Sequence, residues 1–160
     1  MSDFTDFTHL HLHTEYSLLD GANRIKELAK TLKSQGVKAA AITDHGNMFG
    51  AIDFYKTMKN EGIKPLIGIE AYIHNGEELG DKSTKQRFHL CLIAKNEIGY
   101  KNLMYLSSMS YIEGFYYYPR INKKILKEHS EGIICSSACL QGVVNWNLNQ
   151  SERNLRFGAG

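Results

Sequence analysis

The most regular pattern along the chain is the alternation His9-Leu10-His11-Leu12-His13. Side chains two apart share one face of a strand, so residues 7–13 are predicted to be a strand with histidines on one face and core-facing leucines on the other. Asp20-Gly21 then turns the chain. Ile25, Leu28 and Leu32 recur at helical spacing, which predicts a helix over about 24–35, with Asn23 as N-cap and Gly36 just past its end. The apolar run 37–43 reads as a buried strand, followed by the loop Asp44-His45-Gly46-Asn47. Residues 49–60 read as a second amphipathic helix with Phe49, Ile52, Tyr55 and Met58 inward, ended by Gly62. Residues 65–73 form a third strand, 74–87 a polar and mobile loop, and 88–94 a fourth strand. Asn96 caps a helix over about 97–112. The aromatic run Phe115-Tyr116-Tyr117-Tyr118 breaks the rhythm. A short helix around 122–129, a fifth strand over 132–137 and a helix over 139–149 anchored by Val143, Trp146 and Leu148 complete the pattern. The last ten residues, including Phe157-Gly158-Ala159-Gly160, carry no stop signal.

Strands alternating with helices predict an α/β fold with largely parallel strands, because parallel neighbours need crossover connections. In such folds functional side chains gather at the carboxyl ends of strands. His11 and His13 close the first predicted strand, Asp44 and His45 follow the second, Glu70 lies late in the third, and Ser137 and Cys139 follow the fifth. His89 comes early in the fourth, so either that strand runs against the others or His89 is reached another way.

Bulk properties narrow the picture. The 160 residues suffice for one domain, and a net charge of +2 gives no electrostatic argument for nucleic acid. No apolar run approaches the roughly 20 residues that span a bilayer, so no membrane is expected. Three cysteines, Cys91, Cys135 and Cys139, form no disulfide framework and point to a reducing, cytoplasmic setting.

The candidates for chemistry are His11, His13, Asp20, Asp44, His45, Glu70, His89 and Cys139. Imidazoles and carboxylates in this ratio suit hydrolytic zinc, manganese or iron sites. Clustered cations bring a bound water's pKa to about 7 and polarise a phosphoryl oxygen, so phosphoester hydrolysis is the natural chemistry. Each residue also has a plainer role. His9 is a neighbour of the site or solvated. Asp20 before glycine is a turn residue. Asp44 caps a helix or orients His45 in a catalytic role. Glu70 in an apolar strand needs a partner. His89 alone fits a core, and Cys139 alone indicates nothing. His74 and His129 are expected on the surface, and Cys91 and Cys135 in the core.

His11-Leu12-His13-Thr14 followed by Thr43-Asp44-His45-Gly46 resembles the first two motifs of the polymerase and histidinol phosphatase (PHP) superfamily. Ser17-Leu18-Leu19-Asp20-Gly21, Gly68-Ile69-Glu70-Ala71-Tyr72, His89-Leu90 and Leu92-Ile93-Ala94-Lys95-Asn96 resemble, more closely, the N-terminal PHP domains of bacterial replicative DNA polymerase α subunits. So do Gly99-Tyr100-Lys101-Asn102-Leu103, Glu113-Gly114-Phe115-Tyr116-Tyr117, Pro119-Arg120-Ile121 and Ser137-Ala138-Cys139-Leu140. The resemblance covers about residues 4–150. It implies a distorted (β/α)7-type barrel with up to three divalent metal ions, zinc or manganese. It further implies His11, His13, Asp20, His45, Glu70, His89 and Cys139 as ligands. The family's closing Asp-x-His motif does not occur, so residues 1–160 are expected to be the N-terminal part of such a domain, with about five strands present and the polymerase domains absent. An unclosed barrel is expected to self-associate along its open edge.

The resemblance implies a role in DNA replication, with DNA, the proofreading exonuclease and the sliding clamp as partners of the whole polymerase. A metal-dependent phosphoesterase with a 3′–5′ exonuclease role is one implied function. A structural module that docks the exonuclease is another. A small-molecule phosphatase is a third, against which the 17–21, 99–103 and 115–118 stretches argue.

Overall fold

The computed structural model describes residues 7–149. The terminal stretch with Phe157–Gly160, which has no stop signal in the sequence, lies outside the described residues. In chain order the elements are α1 (Ile25–Ser34), β1 (Ala39–Ile42), α2 (Ala51–Asn60), β2 (Lys64–His74), β3 (Phe88–Ala94), α3 (Glu97–Ile112), β4 (Arg120–Asn122), α4 (Lys123–Glu128) and β5 (Ile133–Ser136). Residues 143–149 form a further helix, α5, which begins later than the predicted position 139.

The fold is α/β, but the sheet is mixed. β1 and β4 run parallel to β2, whereas β3 runs antiparallel to both β2 and β5. The expectation of largely parallel strands therefore fails at β3. Reversal brings the start of β3 level with the end of β2, with Tyr72 opposite His89 and Glu70 opposite Cys91. His89 thus reaches the same rim as Glu70 by running the other way.

The predicted first strand is not a regular strand. His9 makes an isolated parallel bridge to Ala40, and the amide of Ala41 donates to the His9 carbonyl. The next bond runs from the Thr43 amide to the Leu12 carbonyl. Three residues on one side therefore face two on the other, which is a bulge. It breaks the alternation: Leu12 is buried but Leu10 is 51% exposed.

Two apolar clusters hold the layers together. Ile25, Leu32, Ala40, Ile42, Phe54 and Met58 join α1 and α2 to β1. Ile69, Ile73, Leu92, Leu103, Leu106 and Ile121 join α3 to β2, β3 and β4. α2 turns Ala51, Phe54 and Met58 inward, Met58 as predicted, while the other predicted inward residues Phe49, Ile52 and Tyr55 are exposed. The helix is apolar on two faces, so its pattern fits either orientation. Asn96 caps α3 as expected, accepting from the Gly99 amide. Asn23 does not cap α1; the Ile25 amide donates to Glu15 instead, and Asn23 holds the His13 carbonyl.

β4 has no counterpart in the sequence reading. Its three buried residues follow the aromatic run, and Arg120 reaches into the 75–87 loop. The Arg120 guanidinium donates to the carbonyls of Thr84 and Asp81, and Asn122 donates to the Glu77 carbonyl. A loop expected to be mobile is thus pinned from below. His74, expected on the surface, is fully buried, with Nδ1 accepting from the Gly76 amide and Nε2 facing the Leu79 carbonyl. Cys91 is buried as expected, but Cys135 is exposed. It lies on β5, where the described residues add no further strand.

Candidate metal centre

Glu70 is the centre of the site. Strand alternation turns Ile69 and Ala71 into the second apolar cluster and leaves Glu70 on the opposite face, fully buried. A buried carboxylate needs compensation. Glu70 Oε1 lies 3.2 Å from His11 Nε2 and 3.1 Å from His89 Nδ1, and Oε2 lies 3.2 Å from His13 Nε2 and 2.8 Å from His45 Nδ1. Burial pushes the Glu70 carboxyl up, but the His13, His45 and His89 imidazoles crowded around it outweigh burial and hold the group well below the usual carboxylate range. His45 responds in kind: the Glu70 carboxylate 2.8 Å from Nδ1 raises its pKa against burial, with further help from the Asp20 carboxylate 3.1 Å from Nε2.

Cys139 joins through His89, its Sγ 3.4 Å from Nδ1. The loop that carries it docks on β3, with the His89 amide donating to the Gln141 carbonyl. Ala138 just before it has φ +57°, a left-handed conformation that non-glycine residues adopt at a cost and that is concentrated at functional sites. Burial pushes the Cys139 thiol up. All seven predicted ligands are therefore brought together. His9 is not among them: its ring packs edge-on against Phe7.

Asp44 does not touch the cluster directly. Its buried carboxylate accepts from the Thr14 amide at 2.6 Å, the Thr14 hydroxyl at 2.8 Å and the Ser17 hydroxyl at 2.8 Å. Ser17 Oγ in turn accepts from the His45 amide at 3.1 Å and lies 3.4 Å from His13 Nδ1. Its single proton is committed to Asp44, so His13 Nδ1 faces it as the donor, which leaves Nε2 with its lone pair toward Glu70. Asp44 thus orients the site through Ser17 and does not bond to the His45 ring. The sequence reading missed Thr14 and Ser17; their spacing after His13 is a turn signature that propensity alone does not link to a distant carboxylate.

The donor set fits a divalent cation. His11, His13 and Glu70 form one group with mutually close ligand atoms, and His45, Glu70 and His89 form another. His11 Nε2 and His13 Nε2 are 3.2 Å apart. That is near the roughly 3.3 Å edge of a tetrahedron with metal–nitrogen bonds of about 2.0–2.1 Å. His45 Nδ1 and Glu70 Oε2 approach closely yet lack hydrogen-bond alignment, and His89 Nε2 is buried without a partner. Nitrogen, oxygen and sulfur donors that converge with only part of their hydrogen bonding met by one another are suited to a cation.

The PHP domain family model matches residues 9–156. A DNA polymerase III subunit alpha from Campylobacter jejuni is 76% identical over 156 residues, covering 97% of this chain and 13% of that protein. One from Helicobacter pylori is 71% identical over 160 residues, covering 99% of this chain and again 13% of the relative. The chain thus spans about an eighth of the length of these curated relatives. Among solved structures, a protein described as a metal-dependent phosphoesterase from Bifidobacterium adolescentis overlaps 65% of this chain and 34% of its own, at 19% identity and a TM-score of 0.43.

Proposed function

The chain belongs to the PHP domain family, and on that premise we propose that it is the N-terminal part of the PHP domain of a replicative DNA polymerase α subunit, where it hydrolyses phosphodiesters at the 3′ end of DNA. The observation that carries this reading is the buried Glu70 carboxylate ringed by His11, His13, His45 and His89. In this reading His11, His13 and Glu70 hold one divalent ion, Glu70, His89 and Cys139 a second, and Asp20 with His45 a third. Zinc or manganese suits this mixture of donors. The bound ions supply Lewis acidity and a more acidic water.

The protein's own residues do the rest. Glu70 shares its two oxygens between the two groups of imidazoles. Ser17 and Asp44 fix the His13 tautomer. Asp20, 60% exposed, stands at the solvent side and holds His45 Nε2. The polymerase reaction, the DNA it copies, and the exonuclease and sliding clamp it works with belong to the longer protein, in the cytoplasm. Among the described residues no helix is long and apolar enough to cross a membrane.

The test uses the full-length protein with its polymerase active site intact. Wild type is expected to bind two or more equivalents of metal and to shorten a 5′-labelled single strand from its 3′ end. Glu70→Gln is expected to lose both while retaining primer extension. Equal shortening by Glu70→Gln would sink the phosphoesterase reading.

A second reading is favoured by one observation. Leu10, Ile52, Tyr55, Ile67, Ile93 and Ile134 line an apolar groove of about 760 Å³ away from the metal cluster. A groove of this kind suits a structural, docking role for the domain, whether toward the rest of the polymerase or toward the exonuclease subunit.

A further inference from the structure

The aromatic run at 115–118 and the end of the 75–87 loop form one wall beside the cluster. Tyr72 connects them. Its ring lies parallel to His45 at 6.3 Å and edge-on to His89 at 5.2 Å and to Tyr118 at 5.3 Å. On Tyr118 sits Arg87, its guanidinium carbon 3.7 Å from the ring centroid and 5.8 Å from that of Tyr72. Arg87 precedes His89 by two residues, so both face the same side of the extended chain while Phe88 turns into the core. Among the described residues no carboxylate pairs with Arg87, and its buried Nε has no hydrogen-bond partner. A guanidinium held on an aromatic face with its donors unspent is suited to a phosphate.

Next to it Tyr117 projects outward. It is 59% exposed, Lys85 Nζ lies 4.1 Å from its ring centroid, and its backbone φ is +63°. Phe115, a short step away, is 50% exposed. Exposed flat rings alternating with unpaired cations form the platform on which single-stranded nucleic acids stack.

We propose that Arg87 is a positioning residue that grips a backbone phosphate of a single-stranded DNA 3′ end, with the adjoining base stacked on Tyr117 and Lys85 beside it. This deepens the phosphoesterase reading and rests on it for the identity of the reaction. It is an independent statement about binding, because the wall contains none of the proposed metal ligands. It also gives the site a preference for an oligonucleotide over a small phosphate monoester, since a lone phosphate on the cluster leaves Arg87 and Tyr117 without a partner.

The test uses the full-length protein and a short single-stranded oligodeoxynucleotide carrying 5-iodouracil near its 3′ end. Irradiation followed by peptide mapping is expected to place crosslinks at Tyr117. The crosslink yield should fall about tenfold in Arg87→Gln, the equivalent of one lost stacking or phosphate contact. Arg87→Lys should restore part of it. In 3′-end hydrolysis the same variant should raise KM by a similar factor and leave metal content unchanged. Crosslinks confined to the polymerase domains, or a yield unchanged in Arg87→Gln, would overturn the inference. So would loss of metal from both Arg87 variants, because Arg87 would then be supporting the cluster. If wild type crosslinks at Tyr117 but hydrolyses nothing, the phosphoesterase reading fails and the binding inference stands.

Discussion

At the scale of single residues, the site depends on one negative charge placed where it has no water. Glu70 is fully buried and its four imidazole neighbours all lie within 3.2 Å. Glu70→Gln keeps the shape but removes the charge and one acceptor, so metal affinity is expected to fall more than about 100-fold, beyond what loss of an outer partner causes. Ser17→Ala is the outer-partner case. It cuts the link from Asp44 to His13 and His45, and metal titration should show a loss of about 10–100-fold. His74 makes a different prediction. Burial first, and then the Arg120 charge, hold its pKa below the ordinary 6.5. The unfolded chain therefore takes up this proton before the folded one. His74 thus contributes stability above about pH 6.5 that is lost as pH falls toward the folded pKa. Denaturant unfolding at pH 7.5 and 5.5 should show a smaller drop in His74→Gln than in wild type; an equal drop would refute the assignment. Glu70 was legible because a carboxylate in an apolar strand is buried at a cost that only charged or polar partners offset. His74 was misread because its polar sequence neighbours say nothing of the Arg120 and Leu79 groups that enclose it.

At the scale of elements, the turn from Thr14 to Gly21 delivers Asp20 to His45. The Ser17 and Gly21 amides donate to the Thr14 and Ser17 carbonyls, respectively. A Cβ on Gly21 would lie 1.7 Å from the Thr14 carbonyl oxygen. Gly21→Ala is expected to cost about 3 kcal/mol, the upper range for overpacking, and to displace Asp20 from His45, which circular dichroism melting and metal titration read separately. Most elements could be placed from local pattern alone, because α1, β2 and β3 each have one dominant apolar face or run and α3 is announced by its Asn96 cap. The exceptions have physical causes. α2 is apolar on two faces. β4 is only three residues long and follows tyrosines that fit no period. The histidine stretch alternates as a strand does, but the bulge beside Ala41 and Thr43 is written in backbone pairing, which side-chain alternation does not encode. The seven proposed ligand positions follow from the motifs; their convergence does not, because it requires the reversed β3.

At the scale of the whole molecule, metal and fold are coupled. The cluster draws on the 11–20 segment, the loop after β1, β2, β3 and the loop after β5, so an ion bound there would tie five parts of the chain together. At 100 times its dissociation constant a single ion stabilises by about 2.7 kcal/mol. Chelation should therefore lower the melting temperature of the chain by roughly 5–10 °C; differential scanning calorimetry with and without chelator checks this. The apolar groove and the exposed β5 edge predict association when nothing covers them. Sedimentation of residues 1–160 alone should show species larger than a monomer, and Ile134→Lys should reduce them.

The reversal of β3 also sets the order in which the centre is assembled. Glu70 and His89 lie 19 residues apart on neighbouring strands, a short-range pairing that closes early. His11 and His13 wait for the same carboxylate from the other side, and Cys139 arrives last. During synthesis at 5–20 residues per second, the 50 residues from His89 to Cys139 take roughly 2.5–10 s. For that interval the nascent chain holds the Glu70 carboxylate and four imidazoles without the Cys139 thiol, so an ion captured then would be chosen by nitrogen and oxygen donors alone.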